Sequence, residues 1–330
     1  MPFDYRKTQK TLSPLLVPLS KGYGALMRAR AWAYSAGIKS SQKTPTFCIS
    51  VGNISWGGTG KTPLTGWMLD WAAHEGLKAV VLTRGYGGKT ERRPLLVTPD
   101  TNPEESGDEP LMLCRQHPEA SILADPNRRR AQLWAEEHLR PDLYILDDGM
   151  QHLAVQRDLN LVTLSLKDFT QDWNRVIPAG TWREGSSALR RADAFMLRAT
   201  PGAVENLPLD KLDILRSLGV PLFSFDLAPT GITPLRAAKM PEAGRPEEIA
   251  EPAAREQKSG LSQPENPEEQ NTGRNILSGK QPYALCTAVG TPESVLSSAK
   301  SLIGSEPETT FIFADHHPYS YDDLEKIRAE

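Results

Sequence analysis

Phe47-Cys48-Ile49-Ser50-Val51-Gly52-Asn53-Ile54-Ser55-Trp56-Gly57-Gly58-Thr59-Gly60-Lys61-Thr62 reads as an apolar strand, a glycine-rich loop and the opening of a helix. Glycines let successive backbone N–H groups face a polyphosphate, and the helix N-terminus adds positive potential. In such a loop Lys61 reaches the terminal phosphates and the Thr62 hydroxyl can hold Mg²⁺. Ser55 stands where eight-residue spacing reserves the first glycine, and Gly52 is the nearest glycine upstream. Ser55 to Thr62 is therefore the candidate nucleotide-phosphate loop, through Ser55, Trp56, Gly57, Gly58, Thr59, Gly60, Lys61 and Thr62.

From residue 46 strands alternate with helices, the pattern of a mostly parallel sheet covered on both faces. Strands are expected at Thr46–Val51, Ala79–Thr83, Ser121–Ala124, Leu143–Leu146, Leu159–Leu164, Ala194–Leu197 and Leu222–Phe225, and helices beginning near Lys61, Glu109, Asn127 and Pro208. A P-loop core thus spans 46–235. Met240–Gly273 holds eight glutamates and five prolines with few large apolar side chains. Such a stretch buries too little surface to offset chain entropy, so 240–273 reads as a disordered acidic insertion. Strands at Tyr283–Thr287 and Thr310–Ala314 around a helix at Pro292–Leu302 form a smaller α/β lobe, assigned 221–239 and 274–330.

Residues 1–45 carry eight basic residues against the single acid Asp4, although the whole chain is at −3. Leu19, Tyr23, Leu26, Met27 and Tyr34 recur there at helical spacing. Two readings fit: a basic amphipathic helix lying on an anionic membrane, or a helix packed on the core with a solvated basic face. The net charge argues against nucleic acid as a partner. Three widely spaced cysteines give no zinc spacing, and no apolar run is long enough to span a bilayer. A cytoplasmic protein with buried thiols is expected.

Leu143-Tyr144-Ile145-Leu146-Asp147-Asp148 ends an apolar strand on two acids, followed by Gly149-Met150-Gln151-His152. Carboxylates so placed help to position Mg²⁺ beside a P-loop. Arg84-Gly85-Tyr86-Gly87-Gly88 and Gly107-Asp108-Glu109 stand at further strand and helix ends, suited to substrate and metal, or to a tight turn and a helix start. Asp315-His316-His317 and Arg183-Glu184 complete the set: a histidine beside a carboxylate can accept a hydroxyl proton, and an arginine can neutralise a transferring phosphoryl group.

Taken in order, Gly57-Gly58-Thr59-Gly60-Lys61-Thr62-Pro63, Arg84-Gly85-Tyr86-Gly87, Gly107-Asp108-Glu109, Asp147-Asp148-Gly149-Met150-Gln151-His152, Arg183-Glu184 and Asp315-His316-His317 resemble the tetraacyldisaccharide 4'-kinase family, the lipid A kinases. The resemblance implies ATP-dependent phosphorylation of the 4'-hydroxyl of tetraacyldisaccharide 1-phosphate, giving lipid IVA at the cytoplasmic face of a Gram-negative inner membrane. It also favours the membrane reading of residues 1–45. It places the proton-accepting pair on Asp108 and His316, and phosphate chemistry on Lys61 and Arg183. Substrate contacts fall on Arg84, Tyr86 and His152, and Mg²⁺ contacts on Thr62, Asp147, Asp148 and Glu109, with Glu184 as a further candidate. The acidic insertion departs from the family pattern, as does the stop at Glu330, where the family continues into a strand bearing a Thr-Glu-Lys-Asp motif. A rival class is a nucleotide-switched partitioning or metallochaperone ATPase. The former type, however, carries a lysine early in its loop, where this chain has Ser55-Trp56-Gly57-Gly58.

Overall fold

The computed structural model describes residues 5–200, 202–228, 282–289, 292–315, 317 and 319–329, with backbone alone for 5–14. Two compact units divide the chain, 1–227 and 228–330.

In the first unit, α1 (Tyr5–Ser35) precedes β1 (Phe47–Asn53), α2 (Lys61–His74), β2 (Ala79–Thr83), β3 (Leu95–Val97), α3 (Pro103–Ser106) and α4 (Asp108–Gln116). After these come β4 (Ser121–Ala124), α5 (Arg128–His138), β5 (Leu143–Asp147), β6 (Leu159–Ser165), α6 (Leu166–Thr170), β7 (Ala194–Arg198), α7 (Leu209–Arg216) and β8 (Leu222–Phe225). The eight strands form one sheet in the order β3-β4-β2-β5-β1-β6-β7-β8, parallel throughout except β3 against β4.

β1 lies between β5 and β6, and the continuous apolar reading of its run follows from burial on both faces. Ile49 and Val51 pack with Leu64, Met68 and Leu69 of α2 and Leu111 of α4, while Cys48 packs with Val80, Tyr144 and Leu146 under Ala131 and Ala135 of α5. Farther along the second face, Val162, Leu164, Phe195 and Leu197 meet Leu212 and Leu215 of α7 and the buried Trp182. Helices thus cover both faces, and the loop after β1 opens at the carboxyl edge of the sheet.

The expected strands all form, with β2, β4 and β8 at the bounds read from the sequence. Two readings change. Leu222–Phe225, assigned also to the smaller lobe, is the edge strand of the large sheet, because β7 offers it a parallel partner from Phe195↔Leu222 to Arg198↔Phe225. β3, unforeseen, is a three-residue antiparallel edge strand between Pro94 and Pro99. Pro208 stands one residue before α7, at its cap. Asn127 caps α5, its side chain accepting from Arg130 N at 3.2 Å.

The second unit holds β9 (Ala284–Thr287), α8 (Pro292–Ile303), β10 (Thr309–Ile312) and α9 (Tyr321–Ala329), with β9 and β10 paired in parallel across α8. The 240–273 reading and His316 lie outside the described residues.

Candidate active site

The loop after β1 is held from beneath by a chain of hydrogen bonds whose direction is fixed by counting protons. The Thr163 hydroxyl gives its single hydrogen to Gly52 O at 3.1 Å, so Thr59 Oγ1 donates to Thr163 at 2.7 Å and accepts from Asn53 Nδ2 at 3.1 Å. From the side, Arg183 N donates to Ile54 O at 2.6 Å and Trp56 N to Thr181 O at 2.7 Å. Gly60 takes a left-handed φ of 87° at the cap of α2, and no side chain caps that helix. The first-turn N–H groups of α2 therefore remain for an anion. Ser55 explains its own departure from the glycine pattern. Its hydroxyl is bonded to the buried Asp168 carboxylate, which also accepts from Trp182 Nε1 at 2.9 Å and from Ser165 N at 2.7 Å. Burial pushes the Asp168 carboxyl up against the pull of these donors. The Ser55 side chain is thus tied into the scaffold.

β5 delivers two adjacent carboxylates to the same edge. Asp147 is buried, accepts from Thr83 Oγ1 at 3.1 Å through Oδ2, and leaves Oδ1 without a partner among the described residues. Burial, then the charge of Glu109, raises its carboxyl to about 6 despite Lys61. Asp148 has a positive φ of 51°, which turns it away from its neighbour. Its oxygens take Arg183 Nη1 at 2.7 and 2.8 Å, and Lys61 Nζ stands 3.7 Å away. Burial would raise this second carboxyl, but Lys61, Arg183 and Arg128 together hold it below the ordinary range. Arg183 also donates to Gln151 Oε1 at 3.2 Å, and Gln151 Nε2 to Asn53 O at 3.0 Å, so P-loop and carboxylate loop form one bonded body.

His152 stands in the same loop with Nε2 buried and unpartnered among the described residues. Burial first, then Arg128, Arg157, Arg30 and Arg84, lower it to about 4, so its imidazole is neutral at physiological pH. Sequence reasoning missed Arg157, whose guanidinium gathers the carbonyls of Gly149, Met150, His152 and Val155. It also missed Asp168 and Trp182. Glu184, a metal candidate from the sequence, has both oxygens bonded to Arg191 at 2.6 and 3.0 Å and is committed to that buried pair.

Arg84 to Gly88 and the start of α4 meet backbone to backbone. A Cβ on Gly88 would lie 2.3 Å from Glu105 O, and one on Gly107 2.2 Å from Tyr86 O. Lys89 N donates to Glu104 O at 2.7 Å across the same seam. The contact presents Arg84 and Tyr86, the latter 78% exposed, beside exposed Asp108 and Glu109 at the head of α4. The influence of Glu109 on Asp147 ties this cluster to the carboxylate loop. Among the described residues no three His, Cys, Asp or Glu side chains form a ready-made metal cage.

On α1 the sequence grouped Leu19, Tyr23, Leu26, Met27 and Tyr34 as one apolar face, and the structure separates them. Tyr23, Met27 and Tyr34 are half-buried alongside Ser20, whose hydroxyl accepts from Ala179 N at 2.9 Å. Leu15, Leu19 and Leu26 form a second ridge, exposed by 75, 63 and 64%. No described helix is long and apolar enough to cross a membrane.

The sequence model of the Tetraacyldisaccharide-1-P 4'-kinase family matches residues 12–330. The chain belongs to this family. It is 43% identical over 322 residues to the tetraacyldisaccharide 4'-kinase of Nitratidesulfovibrio vulgaris, covering 98% of this chain and 81% of that one. To the Oleidesulfovibrio alaskensis kinase it is 42% identical over 319 residues, covering 97% and 80%. The crystal structure of LpxK from Aquifex aeolicus in complex with ATP superposes with a TM-score of 0.67 at 27% identity, covering 94% of this chain and 84% of that one. Membership in a kinase family disfavours the partitioning or metallochaperone alternative.

Proposed function

We propose that this chain transfers the γ-phosphate of ATP to the 4'-hydroxyl of tetraacyldisaccharide 1-phosphate, giving lipid IVA in lipid A biosynthesis. One observation carries the reading: in a member of this kinase family, a P-loop lysine stands 3.7 Å from one of two strand-end carboxylates. Phosphoryl transfer asks a protein for positioning and charge rather than covalent chemistry. Lys61 and the α2 N-terminus hold the donor phosphates. Arg183, anchored on Asp148 and Gln151, stands ready for the charge that spreads over the transferring group.

The donor set fits Mg²⁺, which takes one or two carboxylates beside substrate phosphates. Among the described residues Oδ1 of buried Asp147 is an acceptor lacking the partner that burial demands, and Asp148 and the Thr62 hydroxyl are the other ligand candidates, with Glu109 nearby. These residues would hold Mg²⁺ beside the donor phosphates, where its charge would offset the charge that develops on transfer. Acceptor contacts are assigned to Arg84, Tyr86 and His152. The neutral His152 ring can donate or accept a hydrogen bond without adding charge. On motif position, His316 with Asp108 is assigned to accept the 4'-hydroxyl proton.

An acylated acceptor is met at a lipid surface, and the exposed leucine ridge of α1, flanked by exposed Lys21 and Arg28, suits the cytoplasmic face of an inner membrane. Transfer of ³²P from [γ-³²P]ATP to the disaccharide acceptor tests the proposal. Lys61→Ala is expected to lower the rate by on the order of a hundredfold or more. Absence of labelled lipid with folded protein, or full activity in Lys61→Ala, would overturn it.

A further inference from the structure

Asp168 is a buried carboxylate outside the metal and phosphate contacts, yet it sits where the P-loop meets the segment that carries Arg183. The two segments form a very short ribbon. Arg183 N donates to Ile54 O and Trp56 N to Thr181 O, so Ser55 and Trp182 stand opposite each other as a non-hydrogen-bonded antiparallel pair. Side chains of such a pair project to one face and lie close together. Both of these reach Asp168, through the Ser55 hydroxyl and through Trp182 Nε1 at 2.9 Å. The carboxylate is itself fixed to the end of β6, accepting from Ser165 N at 2.7 Å and from Ser165 Oγ at 2.8 Å. Trp182 is pinned from behind, its N donating to Arg175 O at 3.0 Å and its O accepting from Ile177 N at 2.9 Å. Ser55, Asp168 and Trp182 are all buried, so water offers these donors no substitute.

We propose that Asp168 is a positioning residue for phosphoryl transfer: by clasping Ser55 and Trp182 it fixes the distance between the P-loop and Arg183. The inference rests on the kinase reading and adds to it the group that keeps the donor loop and the charge-neutralising arginine in register. Backbone bonds alone hold a two-stranded ribbon poorly. The Arg183 guanidinium is tied to Asp148, which orients its far end and leaves its backbone to the ribbon. Misplacing a reacting or charge-stabilising group by about 1 Å can cost on the order of a hundredfold in rate. Every bond to Asp168 comes from a donor, so the side chain serves here as an acceptor on both oxygens, and an amide would satisfy one side only.

Replacing Asp168 would strand the Ser165 and Trp182 donors together, so the test removes one donor at a time. Ser55→Ala deletes the hydroxyl, Trp182→Phe deletes the indole N–H, and Ser55→Thr keeps a hydroxyl. In the full chain, residue-resolved amide exchange is expected to be about tenfold faster at Trp56 and Arg183 in the Ala and Phe variants, and near the wild-type rate in the Thr variant. With labelled ATP and the disaccharide acceptor, kcat should fall by about tenfold or more in Ser55→Ala and in Trp182→Phe, while the calorimetric affinity for MgATP stays within about threefold. The double variant should be no slower than the slower single one, because both act through one carboxylate. Unchanged exchange at both amides in the Ala and Phe variants overturns the clasp. Wild-type kcat in those variants overturns the positioning role, as do a Thr variant as slow as Ala, additive losses in the double variant, or kcat and MgATP affinity falling together, the mark of a loop that has merely lost order. Exchange needs no acceptor. A wild-type chain that labels no lipid, with variants that lose amide protection, therefore overturns the kinase reading and leaves the clasp standing.

Discussion

Replacing Asp147 by Asn should change the pH dependence of folding stability in a direction that the burial of the carboxylate fixes. The native carboxyl titrates at about 6 against an ordinary 3.8. Between those values the folded state holds the proton more tightly than the unfolded one, so this group's contribution to stability rises as pH falls and is lost as pH climbs through 6. The difference of about two pKa units corresponds to about 3 kcal/mol, a penalty present in full near pH 8 and absent below about pH 4. Asn cannot ionise. It keeps the acceptor for Thr83 Oγ1 but brings an N–H₂ to the place of the orphan Oδ1, an offset of about 1–3 kcal/mol that does not vary with pH. The quantity to read is therefore the wild-type minus variant difference in unfolding free energy, measured in urea with EDTA at several pH values. Tryptophan fluorescence reports on the first unit alone, because all seven tryptophans lie at or before Trp182. The difference should shift by about 3 kcal/mol in favour of the variant from pH 4 to pH 8, while lipid phosphorylation is lost. A difference flat across that range would refute the reasoning that Asp147 is buried as a strained carboxylate awaiting a cation.

Gly107→Ala places a side chain at φ 85° and 2.2 Å from Tyr86 O. The backbone conformation alone costs about 1–3 kcal/mol, and a melting point lowered by several degrees together with a raised acceptor KM is expected; unchanged values would mean that the 84–88 and 104–109 loops do not depend on this contact. Leu19→Asp combined with Leu26→Asp removes the exposed ridge of α1 and should weaken flotation with anionic vesicles by on the order of a hundredfold. Phosphorylation of a short-chain, water-soluble acceptor should be spared. Vesicle binding unaffected by both substitutions would exclude the ridge as the lipid contact.

The elements legible in the sequence are those whose cause is local. β1, the glycine loop and α2 are contiguous, and their strand, turn and helix signals fall within sixteen residues. Strands buried on both faces announce themselves as unbroken apolar runs. β3 does not, since three residues beside Pro94 carry no period and form a strand only because β4 leaves an edge open. Likewise Leu222–Phe225 reads as a strand anywhere, and only the free edge of β7 decides which sheet it joins. Asp168 and Trp182 escaped notice for the same reason: their partner Ser55 is more than a hundred residues away, and an isolated Asp or Trp carries no sign of it. Arg157 acts on carbonyls, which are the same in every sequence. For α1 the helical period was legible but its two apolar ridges were not, because spacing cannot tell a side chain on the half-buried face of Ser20, Tyr23 and Met27 from one facing outward.

Asp147 and Asp148 show how far adjacent identical residues diverge once the fold surrounds them. The strand ends at Asp147, whose side chain stays inside the sheet's edge with one oxygen satisfied and one without a partner among the described residues. One residue later a positive φ swings Asp148 between Lys61 and Arg183. Desolvation acts on both, yet it prevails only at Asp147, because there only Lys61 and the Thr83 hydrogen bond oppose it while Glu109 and Asp148 add to it. At Asp148 two bonded or near cations and Arg128 overcome it. The pair therefore enters the site in two electrical states: one carboxylate already neutralised by protein cations, the other short of positive charge. Gly149 is what permits the arrangement, since a Cβ there would lie 2.5 Å from Ser50 Oγ on β1 and push the carboxylate loop off the strand that carries the P-loop. The Asp-Asp-Gly order thus has a physical reason at each position: an unsatisfied acceptor at the first, a turned and paired anion at the second, and close backbone approach at the third.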